Sequence, residues 1–116
     1  MMIGDEKEVI ASAIQSHEAK NAALKVLISP REGWKEYVMR IVELGEGGYS
    51  PAHAHPWPHI NYVLAGEGVL QMDGRDSPVG PGAYAYVPAG TPHQYRNTGK
   101  EPLRFICIVP RKGHVV

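Results

Sequence analysis

The chain contains a single cysteine, Cys107, among its 116 residues. An internal disulfide is therefore excluded, and a reducing compartment is permitted. No charge excess exists either, because twelve Lys and Arg balance twelve Asp and Glu. That argues against nucleic acid or an anionic membrane as the main partner, since both are held by a basic surplus. No apolar run reaches membrane-spanning length. Met1 to Ile10 carries three acidic residues and lacks the apolar segment of a secretory signal, so a cytoplasmic protein is expected. A glycine-rich phosphate loop, a Gly-x-Ser-x-Gly turn and a Cys–His dyad in any supporting context are all missing, which leaves nucleophilic catalysis without support.

Glycine and proline are abundant instead, at thirteen and ten. They punctuate short apolar runs at near-regular intervals, the pattern of an all-β sandwich or barrel. Strands are expected over 24–29, 35–44, 60–64, 69–72, 83–87 and 103–109. Asp73-Gly74 reads as a two-residue hairpin turn. Between 5 and 20, Ile10, Ile14 and His17 share a helical spacing, and a short helix is expected there. No helical pattern separates the later strands, so a parallel βαβ sheet is not expected. Residues 1–116 read as one domain, with an arm over 1–23 and a β body over 35–110.

Four of the six histidines carry the chemistry. His53 and His55 are two apart, so on a strand their rings leave from the same face. His59 follows beyond Pro56 and Pro58, which rule out a regular central strand between them. His93 lies on a separate Pro- and Gly-rich segment and has to arrive from across the sheet. Crowded imidazoles would repel one another when protonated, whereas a metal holds them neutral. Metal affinity is then expected to fall below about pH 6, as imidazoles of pKa near 6.5 take up protons.

The spacing of these residues resembles that of the cupins. Their first motif is Gly, five residues, His-x-His, three or four residues, Glu, six residues, Gly. This chain has Gly47, His53-Ala54-His55, His59 and Gly66 at those intervals. Their second motif is Gly, five residues, Pro-x-Gly, two residues, His, three residues, Asn, and here Gly82, Pro88-Ala89-Gly90, His93 and Asn97 match it. The one departure is His59, which stands where cupins usually carry Glu. The motifs lie over 47–66 and 82–97. His-Pro-Trp-x-His resembles small single-domain cupins with four-histidine, manganese-type sites.

The resemblance implies a double-stranded β-helix, or jelly-roll barrel, with one divalent metal in its mouth on His53, His55, His59 and His93. It favours Mn or Fe, while imidazole softness also admits Ni or Zn. Gly66, Gly82 and Gly90 are expected in turns, Pro88 at a strand end, and Asn97 bracing the turn after His93. Four neutral imidazoles leave the ion its full +2 charge, where a carboxylate would reduce it to +1, so an anionic co-ligand is favoured. By analogy the chain is a metal-dependent dioxygenase acting on a small organic substrate with O2. The alternatives are a non-catalytic module that binds an anionic metabolite and a redox-neutral isomerase or decarboxylase. The missing carboxylate weighs against the last of these. The resemblance also implies a homodimer, with Tyr37, Met39 and Ile41 offering an apolar face.

Other residues read as follows. Arg40 interrupts an apolar run, and it is either a solvent-facing residue on an alternating strand or an anion clamp inside the barrel. Phe105, Cys107 and Val109 alternate on one face of the last strand. Phe105 and Cys107 are candidate pocket residues beside Arg40, with Cys107 behaving as a small buried hydrophobe. No residue is assigned as catalytic. Trp34 and Trp57 read as packing residues, Tyr84 and Tyr86 as core or interface, Glu67 as a turn residue, and His17 and His114 as solvated.

Overall fold

Residues 2–114 are described in a computed structural model, and nine strands there form one curled antiparallel sheet. They are β1 (Ser12–Ala13), β2 (Lys20–Ile28), β3 (Tyr37–Tyr49), β4 (His59–Ala65), β5 (Gly68–Met72), β6 (Arg75–Val79), β7 (Tyr84–Val87), β8 (His93–Asn97) and β9 (Leu103–Pro110). The order across the sheet is β6-β5-β8-β3-β9-β4-β7, with β2 on the free edge of β3 and β1 on β2. No helix among the described residues is long and apolar enough to cross a membrane.

β3 is the long strand that bends the sheet. Tyr37 to Leu44 pairs with β9, and Tyr49 reaches β8. The sequence pattern ended this strand at Leu44, yet it continues through Gly45, Gly47 and Gly48. Here the glycines permit a close crossing of β2: a Cβ on Gly48 would sit 2.8 Å from the Lys20 carbonyl oxygen. The β5–β6 hairpin turns at Asp73-Gly74 as expected. Met72 pairs with Arg75, and the two turn residues have φ of 53° and 78°, the doubly positive geometry of a tight hairpin.

The expected helix in the N-terminal stretch is not there. Glu6–Glu8 is one 3-10 turn, and Ser12–Ala13 is a strand that pairs with Leu24 and Ala23 on the edge of β2. Isolated helices this short are marginal in water, and the open edge of β2 offers backbone partners instead. Ile10 is left exposed, while Ile14 turns toward the barrel interior. Two further strands, β6 and β8, were not read from the sequence.

Alternation along each strand divides the barrel into layers. In register, Leu44 faces Leu103, Val42 faces Phe105, and Arg40 faces Cys107. On the other side of β9, Val63 pairs with Phe105 and Asn61 with Cys107. The floor is apolar, built on Leu44, Val63, Leu70, Leu103 and Phe105, all buried. One layer higher, Arg40, Cys107 and Asn61 form a polar belt across three strands. His59, one inward position nearer the mouth on β4, sits above that belt. Asn97 secures the far turn: its Nδ2 donates to the carbonyls of Leu44, Gly45 and Glu101, and its Oδ1 accepts from the Gly99 N–H. Gly66, Gly82 and Gly90 all have positive φ, as turn positions require.

Candidate metal centre

The His53–His55 segment joins the sheet by a single bridge to His93. The His53 N–H donates to the His93 carbonyl at 3.2 Å, and the His93 N–H donates back at 3.0 Å. That bridge fixes the His-x-His pair beside the start of β8. His53, His55 and His93 each offer one nitrogen, and those nitrogens lie within 4.8 Å of one another. His59 enters from β4. Its Nε2 is 3.1 Å from Nε2 of His93, and its ring centroid is 5.4 Å from that of His55. Two nitrogens on adjacent positions of one metal, each bound at ~2.1 Å, lie about 3 Å apart, which is the His59–His93 separation. His53 is exposed at the rim, whereas His59 and His93 are buried.

Hydrogen bonds aim the rings. His55 Nδ1 lies 2.9 Å from the Trp57 carbonyl, and His93 Nδ1 lies 2.8 Å from the Thr91 carbonyl. A carbonyl can only accept, so in neutral rings both protons stay on Nδ1 and both Nε2 lone pairs are free. Burial pushes His59 from its ordinary 6.5 down to about 3, helped by His93, His55 and Arg40. Burial also lowers His93, and it lowers His53 together with the neighbouring His93 and His55. His53, His59 and His93 are thereby biased toward the neutral form, the one that binds metal. Neutral inward nitrogens at this spacing suit a divalent first-row ion.

The cupin family model, described as a cupin domain, matches residues 40–109, more than half of the chain. The chain is a cupin. In structure it resembles the polyketide cyclase RemF from Streptomyces resistomycificus, with a TM-score of 0.90 and 30% identity over 96% of this chain and 80% of that one. In sequence it is 32% identical to an oxalate-binding protein of Thermotoga maritima, over 59% of this chain and 57% of the relative. It is also 43% identical to quercetin 2,3-dioxygenase of Bacillus subtilis over a shorter stretch, 45% of this chain and 16% of that protein. The chain thus matches little more than half the length of one relative and a small part of the other.

Beneath the histidines this cupin has a cavity of about 220 Å³. That is room for a small ligand. Arg40 projects into it. Its NH2 group donates to Cys107 Sγ at 3.3 Å, while its buried Nε has no partner among the described residues. Phe105 and Cys107 line the same cavity, and no Asp or Glu does. Leaving a charged donor buried and unpaired costs on the order of 1–3 kcal/mol or more, so an acceptor placed in this cavity would be favoured at the Arg40 Nε.

Trp57 is a packing residue with a specific role. Its indole stacks on His55 at 4.6 Å with the planes 9° apart. Gly113 also lies against the indole, where any Cβ would overlap it. Trp57 thus packs against both His55 and the C-terminal turn. His114 is not solvated as expected. It is half-buried, its Nδ1 has no partner among the described residues, and burial and Arg40 lower its pKa. His17 is exposed, Trp34 packs against Tyr37 at 5.2 Å, and Tyr84 and Tyr86 lie on the outer face. Sequence reasoning missed Asn61 and Tyr95, which are buried side by side below His59. The available signal was parity, because Asn61 lies two residues after His59 and Tyr95 two after His93.

Proposed function

We propose that this cupin holds one divalent metal on His53, His55, His59 and His93 and binds a small organic anion against it, with Arg40 as the countercharge. One observation carries the reading: the cavity joins four imidazoles to an under-partnered guanidinium, with no carboxylate on its walls. When bound, a Mn or Fe ion would supply Lewis acidity and a redox couple, and Ni or Zn only the former in this setting. Arg40 orients a carboxylate, enolate or catecholate and balances its charge. Phe105 and Val42 give the substrate body an apolar wall, and Trp57 screens His55 from water.

The reaction class we favour is O2-dependent oxidation. An isomerase or decarboxylase needs a proton acceptor at the substrate, and the usual Glu position is occupied by a histidine whose lone pair faces the other ligands. The name of the quercetin dioxygenase relative supports an oxidative reaction, and that of the oxalate-binding relative supports an anionic ligand. Two measurements test these parts. Mn- or Fe-loaded protein is expected to consume O2 with at least one of a catechol, a dione or an aryl alkene. Arg40→Met is expected to weaken calorimetric oxalate binding by tenfold or more, the scale of a lost hydrogen bond to a charged group. Tight oxalate binding without O2 uptake would replace the enzyme by a binding module. Equal oxalate binding in wild type and Arg40→Met would remove the anion clamp.

We also propose a homodimer, through a face that shares Met39 with the expected one. Ile41 is buried, in register between Lys25 and Ile106. The exposed apolar face is formed by Ile60, Tyr62, Tyr84 and Tyr86, continuous with Met39, Ile106 and Ile108. Contiguous exposure of this kind marks an interaction surface.

A further inference from the structure

The cavity below the histidines has walls of unequal firmness. Tyr95 and Phe105 are buried and stacked on each other at 4.1 Å, and Leu24 and Cys107 are buried as well. A change of shape at any of them is felt through the close-packed core. Ile14 is different. It is only half-buried, and it reaches the cavity from the N-terminal arm.

Main-chain bonds hold this part of the arm. Ser12 and Ala13 pair with Leu24 and Ala23, and the Ile14 N–H donates to the Ala22 carbonyl at 2.9 Å. Beyond it the chain turns: the Ser16 N–H donates to the Ile14 carbonyl at 3.0 Å, and the Ala19 N–H donates to the Ser16 carbonyl at 3.2 Å. None of these bonds involves the Ile14 side chain, so its size can change while the path of the arm is kept.

Ile14 also borders a second, more open space of about 570 Å³. Ala11, Ala13, Ala19, Ala22 and Ala23 line that groove, which makes its wall along the arm apolar and low. Among the described residues Ile14 alone lines both the groove and the metal cavity. It is the partition between them.

We propose that Ile14 sets the length of the organic ligand: its side chain stops the apolar tail at the cavity wall, and a smaller residue there opens the cavity into the alanine-lined groove. The wild-type site then selects short organic acids. The placing of the acid head beside Arg40 and the histidines rests on the reading under Proposed function; the stop at Ile14 does not.

The test is a ladder of straight-chain carboxylates from acetate to octanoate, with the matching uncharged alcohols, titrated into Zn(II)-supplemented protein. Binding is read from the amide NMR shifts of Val42 and Phe105, which line the cavity. In wild type the affinity is expected to rise with chain length and then stop. Ile14→Ala removes three carbons and should carry the rise at least two methylenes further. At about fourfold per buried methylene, the first chains beyond the wild-type stop should bind about tenfold tighter or more in the variant. Should Ile14→Ala fail to fold, Ile14→Val should move the stop in the same direction by a smaller step. A stop at the same chain length in wild type and variant, or no binding of either ladder to the variant, would overturn the proposal. A stop that moves for the alcohols, with carboxylates binding no tighter than alcohols, would uphold it and defeat the anion clamp instead.

Discussion

At the scale of single residues, the mouth of this barrel is organised around neutrality. His59 is pushed to about 3 from 6.5 mainly by burial. Its depressed folded value has a definite sign. Above about pH 6.5 the ring is neutral in folded and unfolded chains alike. Between 6.5 and about 3, the unfolded chain takes up a proton that folded His59 refuses. Metal-free stability should therefore fall as pH drops through that window, and denaturant midpoints measured down to about pH 4 check it. His59→Leu should show a shallower fall, and an equal fall in both proteins would contradict this account of the ring. Burial moves the expected onset of metal loss to lower pH than free imidazoles would give, because His53, His59 and His93 resist protons further. The ligand candidates were legible because their spacing is local and chemically distinctive. The inward direction of Arg40 was not, since an Arg within an apolar strand fits either face until the register with Cys107 is known.

At the scale of elements, turns and apolar alternation were readable wherever one face is hydrophobic. β8 was invisible because its inward residues are His93, Tyr95 and Asn97, so the layers around the site erase the contrast between faces. β6 was hidden by its charges and Pro78, which suit an edge strand but do not announce one. The N-terminal stretch misled in the opposite way, since three residues at helical spacing cannot outweigh an open sheet edge. The β5–β6 hairpin gives a quantitative check. Gly74 has φ of 78° and open space around a would-be Cβ, so Gly74→Ala meets backbone strain and no clash. The expected cost is ~1 kcal/mol, a few degrees in Tm, with metal binding unchanged. A variant as stable as wild type would mean that the turn relaxes to another geometry. The arm is fastened more weakly. Glu6 bridges Lys25 and Arg104 at partly exposed positions, so Glu6→Gln is expected to cost no more than about 1 kcal/mol in a thermal melt.

At the scale of the whole molecule, the barrel has two faces of different character. The inner one narrows from an apolar floor through the Arg40–Cys107–Asn61 belt to the histidines. The outer one exposes Tyr84 by 84% and Tyr86 by 60%, part of the apolar face on which the proposed dimer rests. Light scattering is expected to show a dimer. Tyr84→Asp combined with Tyr86→Asp should give a monomer that still binds metal, and a monomeric wild type would discard the face. Family membership and barrel form were legible from two motifs. Ile41, expected on an apolar outer face, is buried instead, in register between Lys25 and Ile106. The central claim remains that four imidazoles from two distant stretches share one cation. Elemental analysis of untagged protein, purified without a nickel column and reconstituted with Mn(II) or Fe(II), tests it most directly. One divalent ion per chain is expected, lost in both His59→Ala and His93→Ala. A wild type that retains no ion after reconstitution, or a His59→Ala protein that holds its ion as tightly as wild type, would contradict it.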